Sequence, residues 1–430
     1  MFFKLRKHFS LLLYAIFILY MLISPLNPSF NIINAFLSFF LSILFILKFK
    51  SDKLLFIMGI FISYCIYSIF VGEFLFPELL TVPMNQVKTV EIYGTTINTL
   101  LIFITTILIF VNKNKKKAIN NKKNETVYNS PIIQLIFFIA LMLIGIFGVN
   151  RTRADFYNVQ ISSLYEYSYL FFIILYFFTN SRVIRYLINF LLILFILQDY
   201  YYGGRITSLQ LFIVFFYFNM IQKIKTKNIF SFAILGIFIN SLVGAYRINY
   251  SLTSESIIKI FKKMINNMFV FDTSTYSFYA SATHVAAVNY GNINLEYRID
   301  SLFKFIKSIF FGGSNDIGNV TRFVSDHYFQ NIGGGIFPSH FYFWLGILGV
   351  VLGSFVVVLM MNKFRRKDNI YFNLAYLVLI VSSPRWFLYN PLILFRSQFL
   401  FFILFSFSLL IRGLFVKRIN KKRSGKEEFS

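Results

Sequence analysis

The chain has 430 residues, 57% of them hydrophobic and only 14% charged, with a mean hydropathy of +0.67. A soluble domain carries about 25% charge, so this composition excludes a soluble enzyme. The net charge of +25 would point a soluble protein toward nucleic acid; here the basic residues follow topology instead, and nucleic acid drops out as a partner.

In chain order, apolar runs long enough for a bilayer core of about 30 Å predict spans at 9–26, 30–48, 54–72 and 91–111. A Lys/Asn-rich linker at 112–129 follows, then spans at 132–149, 164–180, 184–202, 206–222 and 229–246. Residues 247–339 cannot be a row of spans, and 340–361, 370–388 and 391–411 complete the set. The runs lack the short alternating pattern of a membrane β-barrel. The expected fold is all-α: a polytopic membrane protein of about 12 transmembrane helices with one long outer loop containing amphipathic helices. It divides into an N-terminal transmembrane region (1–246), a large extracytoplasmic loop (247–339), and a C-terminal transmembrane region with a basic tail (340–430).

Sidedness comes from Lys and Arg. They crowd alternate short connections: Lys48 to Lys53, Lys113 to Lys123, Arg182 and Arg185, Lys223 to Lys227, Lys363 to Lys367, and Arg412 onward. Short basic connections stay in the cytoplasm, which places both termini there. Residues 1–24 show no small-residue cleavage site and are read as the first span. The lone Cys65 lies in a span and excludes an internal disulfide. This topology is testable. Single cysteines at Asn114 and Asn315, in a Cys65-free background, should label from the cytoplasmic and the outer side respectively; equal access from outside to both contradicts it.

Two amphipathic helices are legible in the long loop. In 253–270 the apolar stripe is Ile257, Phe261, Met264, Ile265 and Met268; in 299–311 it is Leu302, Phe303, Ile306, Ile309 and Phe310. Such helices lie in the membrane interface or pack on the spans, and here they are expected to close over a site. Gly333-Gly334-Gly335 then gives a flexible return to the membrane.

Four arginines stand on the outer side. Arg205 follows Gly203-Gly204, Arg247 ends the ninth span, Arg385 lies in Ser382-Ser-Pro-Arg-Trp, and Arg396 sits inside an apolar run. Arginine within a span costs roughly 2.5–3.5 kcal/mol on insertion scales. Interfacial snorkelling is the plain explanation, but cytoplasmic anchoring fails, because these residues are on the wrong side. Convergent guanidiniums suit phosphate or pyrophosphate held bidentately, and Gly203-Gly204 would let a phosphate approach the start of the following helix. His340, at the start of the tenth span, is either a hydrogen-bonded structural group or a proton acceptor. His284, His327, Arg298 and Arg322 are further loop candidates for binding substrate. No Walker loop, GxGxxG, HExxH, DxD or metal-spaced Cys/His cluster occurs, so no cofactor and no metal are expected.

The order of these motifs carries a resemblance. Gly203-Gly204-Arg205 leads into a span, Arg247 opens the large loop, and Gly333-Gly-Gly-Ile-Phe-Pro-Ser-His340 leads into a span with Gly346, Gly349 and Gly353. Arg385 and Arg396 follow. Over residues 200–405 this resembles the Wzy-type oligosaccharide repeat-unit polymerases of bacterial O-antigen (lipopolysaccharide), capsule and exopolysaccharide synthesis. The resemblance implies a multi-pass, metal-independent glycosyltransferase of the bacterial plasma (inner) membrane. Its donor would be a glycan on undecaprenyl pyrophosphate, its acceptor a second lipid-linked repeat unit, and its partners the bilayer and a chain-length regulator. It implies catalytic roles for Arg205, Arg247 and His340, and substrate binding by Arg385, Arg396, Arg298, Arg322, His284 and His327. Family members carry an acid shortly after the glycine-rich return; here Phe341-Tyr-Phe-Trp344 stands instead, leaving the base open between His340 and a loop acid. An O-antigen ligase-like enzyme shares the architecture and donor. A lipid-linked oligosaccharide flippase is a rival of a different class, which the long outer loop disfavours.

Overall fold

A computed structural model describes residues 14–21, 24, 27–77, 86–112, 129–149, 162–249, 258–259, 262, 264–311, 319–366 and 369–427, without the side chains of 240, 244–249, 366 and 416–427. The described elements are helices. They run α1 (Pro28–Lys48), α2 (Lys53–Ile69, continued by a π-helical turn Phe70–Leu75), α3 (Val90–Phe110) and α4 (Pro131–Phe147). Next come α5 (Ser163–Glu166), α6 (Ser168–Phe177), α7 (Arg182–Tyr201), α8 (Ile206–Asn219) and α9 (Thr226–Asn249). The loop region holds α10 (Asp272–Asn289), α11 (Leu295–Phe311) and α12 (Val320–His327). The chain ends with α13 (Phe337–Arg366), α14 (Ile370–Val381), α15 (Ser383–Leu388) and α16 (Leu392–Glu427).

Among the described residues, 7 helices are long and apolar enough to cross a membrane, in α1, α2 with its π turn, α3, α7, α9, α13 and α16. Four shorter apolar helices, α4, α6, α8 and α14, fall on further predicted spans. The chain is thus an all-helical, membrane-embedded protein. Of the first predicted span, residues 14–21 are described and helical. The linker at 113–128, with Asn114, and the segment 312–318, with Asn315, lie outside the described residues.

Polar residues supply the specificity that apolar contact in lipid lacks. Asn34, on α1, donates to Asn98 on α3 at 2.8 Å, and Asn98 donates to the Met21 carbonyl and the Ser24 hydroxyl at 2.9 and 2.8 Å. The basic connections gather at one end of the bundle. There Lys48 donates to the Leu108 and Val111 carbonyls and Lys53 to the Ile221 carbonyl. Arg365 pairs with Asp52 at 3.0 Å and also reaches the Asn112 carbonyl. The opposite, far end carries the loop region.

Three features of the far end differ from the sequence reading. First, of the amphipathic helix expected at 253–270, residues 258, 259, 262 and 264–266 are helical and 267–270 are not, the rest lying outside the described residues, while α10, not foreseen, is almost wholly buried: Phe278, Ala280, Ala282, Thr283, His284, Val285, Ala286 and Ala287 are all 0% exposed. It packs on α2, α3 and α13. Part of the long segment is therefore core, not lid. Second, the tenth span is broken. Leu345 and Gly346 leave the helical region, with Gly346 at φ 63°. The short limb 337–344 folds back on the long limb, so that a Cβ at Gly353 would lie 2.6 Å from the Phe341 ring. Third, α11 matches the expected 299–311 helix but clasps this hairpin. Phe305 packs on Trp344 at 4.5 Å, and the Trp344 indole donates to Ser301.

Candidate functional site

The Gly203-Gly204 turn between α7 and α8 is where sequence placed a phosphate. Gly203 has φ 76°, a conformation favouring glycine. Gly204 is required for another reason: a Cβ there would collide with the carboxylate of Asp199. Asp199, 1% exposed, accepts from the Ser208 amide at 2.8 Å and its hydroxyl at 2.6 Å. The start of α8 thus already holds a carboxyl group of the protein's own, and the expected phosphate position in the turn is filled. The correction concerns the turn and leaves the neighbouring arginine free to act.

Arg385, carried on α15, joins three elements. Its Nη1 pairs with Glu166 at the end of α5 at 2.7 Å, and its Nη2 donates to Thr207 in the first turn of α8 at 3.0 Å. Its Nε is buried without a partner. Arg205, two residues before Thr207, donates to Thr273 at 3.2 Å and lies over the Phe271 ring at 5.7 Å. No carboxylate oxygen of the described residues comes within salt-bridge distance of it. Arg396, on α16, donates to the Ser308 carbonyl in the last turn of α11. Tyr167, next to Glu166, feels both Arg396 and Arg385. Arg385 and Arg396 are therefore brought together beside Glu166, whose side chain is 31% exposed; Arg205 turns instead to the start of α10, where Asp272 is exposed between its two partners Phe271 and Thr273. The Arg247 side chain lies outside the described residues.

The remaining candidates have local duties. Arg298 donates to the Phe343 and Tyr342 carbonyls, which the break at Leu345-Gly346 strips of regular helical partners. It caps the hairpin instead of facing a substrate. Arg322 pairs with Asp326, one turn on, at 3.5 Å, both well exposed; such pairs contribute about 0–1 kcal/mol. His327 ends α12, its Nδ1 3.0 Å from the Phe323 carbonyl and its ring on that of Phe323.

His284 and His340 meet. Their rings lie 4.7 Å apart, 0% and 2% exposed, and His284 Nδ1 is 3.2 Å from the Ser339 hydroxyl. Burial, reinforced by the second ring, pushes the His284 imidazole well below its ordinary range and keeps it neutral. The glycine-rich return seals the pair. Gly335 donates to the Leu388 carbonyl, and a Cβ on it would lie 2.7 Å from the His284 ring and 2.8 Å from His340 Nε2. This packs His340 under the turn, 2% exposed, as a buried group that positions the return. The glycine has φ 145°. Gly335→Ala should overpack both rings, at a cost of about 1–3 kcal/mol, read as a lower midpoint of thermal unfolding in detergent; an unchanged midpoint contradicts the packing.

Beside Arg205, an apolar cavity of about 130 Å³ opens between α2, α8 and α9. Phe271, Tyr64 and Ile206 form its far end, next to Arg205.

Glu166, Asp199, Thr207, Thr273 and Tyr167 were not foreseen as site residues. Glu166 and Asp199 did carry a signal, as acids inside predicted spans. The hydroxyl partners carried none. Neither protein-family models nor curated proteins nor solved structures match this chain.

Proposed function

We propose that the chain is a metal-independent membrane glycosyltransferase that polymerises lipid-linked oligosaccharide repeat units on the outer face of the bacterial plasma membrane. In this reading it has twelve spans and cytoplasmic termini, and its donor glycan rides on undecaprenyl pyrophosphate. One observation supports the proposal: two half-buried guanidiniums, Arg385 and Arg396, act on Tyr167 beside the Glu166 carboxylate, and a third, Arg205, stands two residues before Thr207, the hydroxyl that Arg385 holds. Excess fixed positive charge in a partly dry site calls for an anionic ligand, and a pyrophosphate leaving group supplies it.

The chemistry follows. The acceptor hydroxyl attacks the anomeric carbon, the bond from that carbon to the pyrophosphate oxygen breaks, and the pyrophosphate leaves with the electron pair. Preorganised guanidiniums stabilise the charge as it develops. The hydroxyl proton goes to a base, a role we assign to Glu166, whose side chain is 31% exposed beside Arg385. Deleting the protein from its host should abolish the polymer ladder while single repeat units still reach the final acceptor. Loss of single units from that acceptor as well would favour the ligase reading. An intact ladder contradicts both.

A further inference from the structure

Helix α11 is amphipathic the wrong way round for a helix bathed in water. With about 3.6 residues per turn, Leu295, Ile299, Phe303, Ile306 and Phe310 fall in one sector, and all five are exposed, at 58, 37, 66, 42 and 51%. The opposite sector faces protein and is the more polar of the two. There Ser301 accepts the Trp344 indole N–H, the Ser308 carbonyl accepts from Arg396, and Arg298 donates to the Phe343 and Tyr342 carbonyls. Along one edge of the apolar sector run Glu296, Asp300, Lys304 and Lys307, with Asp300 and Lys304 paired at 2.6 Å. The single stripe expected at 299–311 is thus split: Leu302 and Ile309 turn to the protein, and Phe303, Ile306 and Phe310 turn outward. The outward stripe also runs into an exposed face of a membrane-crossing helix. Phe310 packs edge-on against Phe399 of α16 at 5.0 Å. Phe402 and Ile403 follow on the same face of α16, three and four residues on, and are 52% and 44% exposed. α16 is long and apolar enough to cross a membrane, so that face lies against hydrocarbon.

We infer that α11 docks in the bilayer surface at the far end of the bundle, its outward apolar stripe among the acyl chains and its charged edge among the headgroups. A contiguous stripe of five large apolar side chains calls for a covering. A charged edge immediately beside it fits the polar–apolar boundary of a leaflet, where such helices sink about 5–10 Å. A second protein would have to cover the stripe and the exposed face of α16 together; lipid covers both without a further interface. The helix that the bilayer holds is the one whose Ser308 carbonyl holds Arg396, so the membrane surface fixes the depth of that guanidinium. The inference is independent of the reaction proposed above.

The test is spin-label accessibility in the full-length protein, free of Cys65, in nanodiscs of phosphatidylethanolamine and phosphatidylglycerol. Ile299→Cys, Phe303→Cys and Ile306→Cys place a nitroxide on the stripe; Lys304→Cys and Lys307→Cys place it on the charged edge. Relaxation by oxygen, which concentrates in lipid, should exceed relaxation by a water-soluble nickel chelate severalfold on the stripe, and the order should reverse on the edge. Nickel access to the stripe equal to that of the edge means that water covers it, and overturns the inference. Exclusion of both reagents from the stripe overturns it in favour of a protein covering, whether a second copy of this chain or another protein. Oxygen preferred on the edge as well would put the helix inside the hydrocarbon and overturn its place at the surface. A measurement on the wild-type protein needs no variant to fold: a carbene reagent dissolved in the bilayer should label the peptide 295–311, and an unlabelled peptide beside a labelled α16 contradicts the docking.

Discussion

Arg385→Ala should reduce polymer formation by roughly 10²–10³-fold or more, the loss typical when one preorganised donor to a developing anion is removed. Arg385 is the hinge of the patch. Its two terminal nitrogens reach Glu166 and Thr207 at 2.7 and 3.0 Å, fixing α5 against α8. Arg385→Lys should be nearly as damaging. A lysine keeps the charge but has one nitrogen on a flexible stem, and cannot hold both partners in the planar fork. Arg205→Lys should also lose most activity, since it gives up the planar stacking on Phe271 and the bidentate geometry. The readout is ladder length from membranes in which each variant is present at wild-type level. Full-length polymer from Arg385→Lys would remove the guanidinium geometry from the account. Reduced protein level without reduced activity per molecule would make Arg385 a structural clasp alone.

The second large effect lies at the basic end. Asp52→Ala should destabilise the fold by about 3–5 kcal/mol, the usual consequence of leaving one member of a buried ion pair alone. The side chains of Arg365 and Asp52 are only 6% and 13% exposed. Asp52 also accepts from the Tyr376 hydroxyl at 3.0 Å and from the Leu55 amide at 3.3 Å, capping α2. The substitution therefore removes the carboxylate from Arg365 and the acceptor from the Tyr376 hydroxyl and uncaps a helix in one step. Thermal unfolding of the purified protein in detergent measures this. An unchanged midpoint would mean that water reaches the pair freely.

The helical, membrane-embedded character was legible because it rests on long uniform apolar runs, which lipid demands directly. The alternation of Lys and Arg was legible for the same reason, and Lys48, Lys53 and Arg365 do meet at one end. What escaped was set by partners distant in sequence. α10 shows no amphipathic stripe because protein surrounds it, and its Ala, Ser and Thr residues read as a loop when taken alone. The fold-back at Leu345-Gly346 hides inside an apolar run, where only Gly346, Gly349 and Gly353 mark it. Arg385 and Glu166 lie 219 positions apart, and no local pattern links them. The Gly203-Gly204 turn was located correctly, but its tenant was misjudged, because Asp199 stands five residues back on the preceding helix. The arginines were found as isolated charges in apolar surroundings. Which of them cap carbonyls, as Arg298 does, depends on a helix break that sequence did not reveal.

The most direct measurement is reconstitution. Purified protein in liposomes, given an undecaprenyl-pyrophosphate-linked repeat unit and a metal chelator, should produce a ladder of lipid-linked polymers and release one undecaprenyl pyrophosphate for each new glycosidic bond. Arg385→Ala should produce no ladder. Repeat units carried across the bilayer without extension, or no ladder from folded wild-type protein supplied with its host's own repeat unit, would contradict the account.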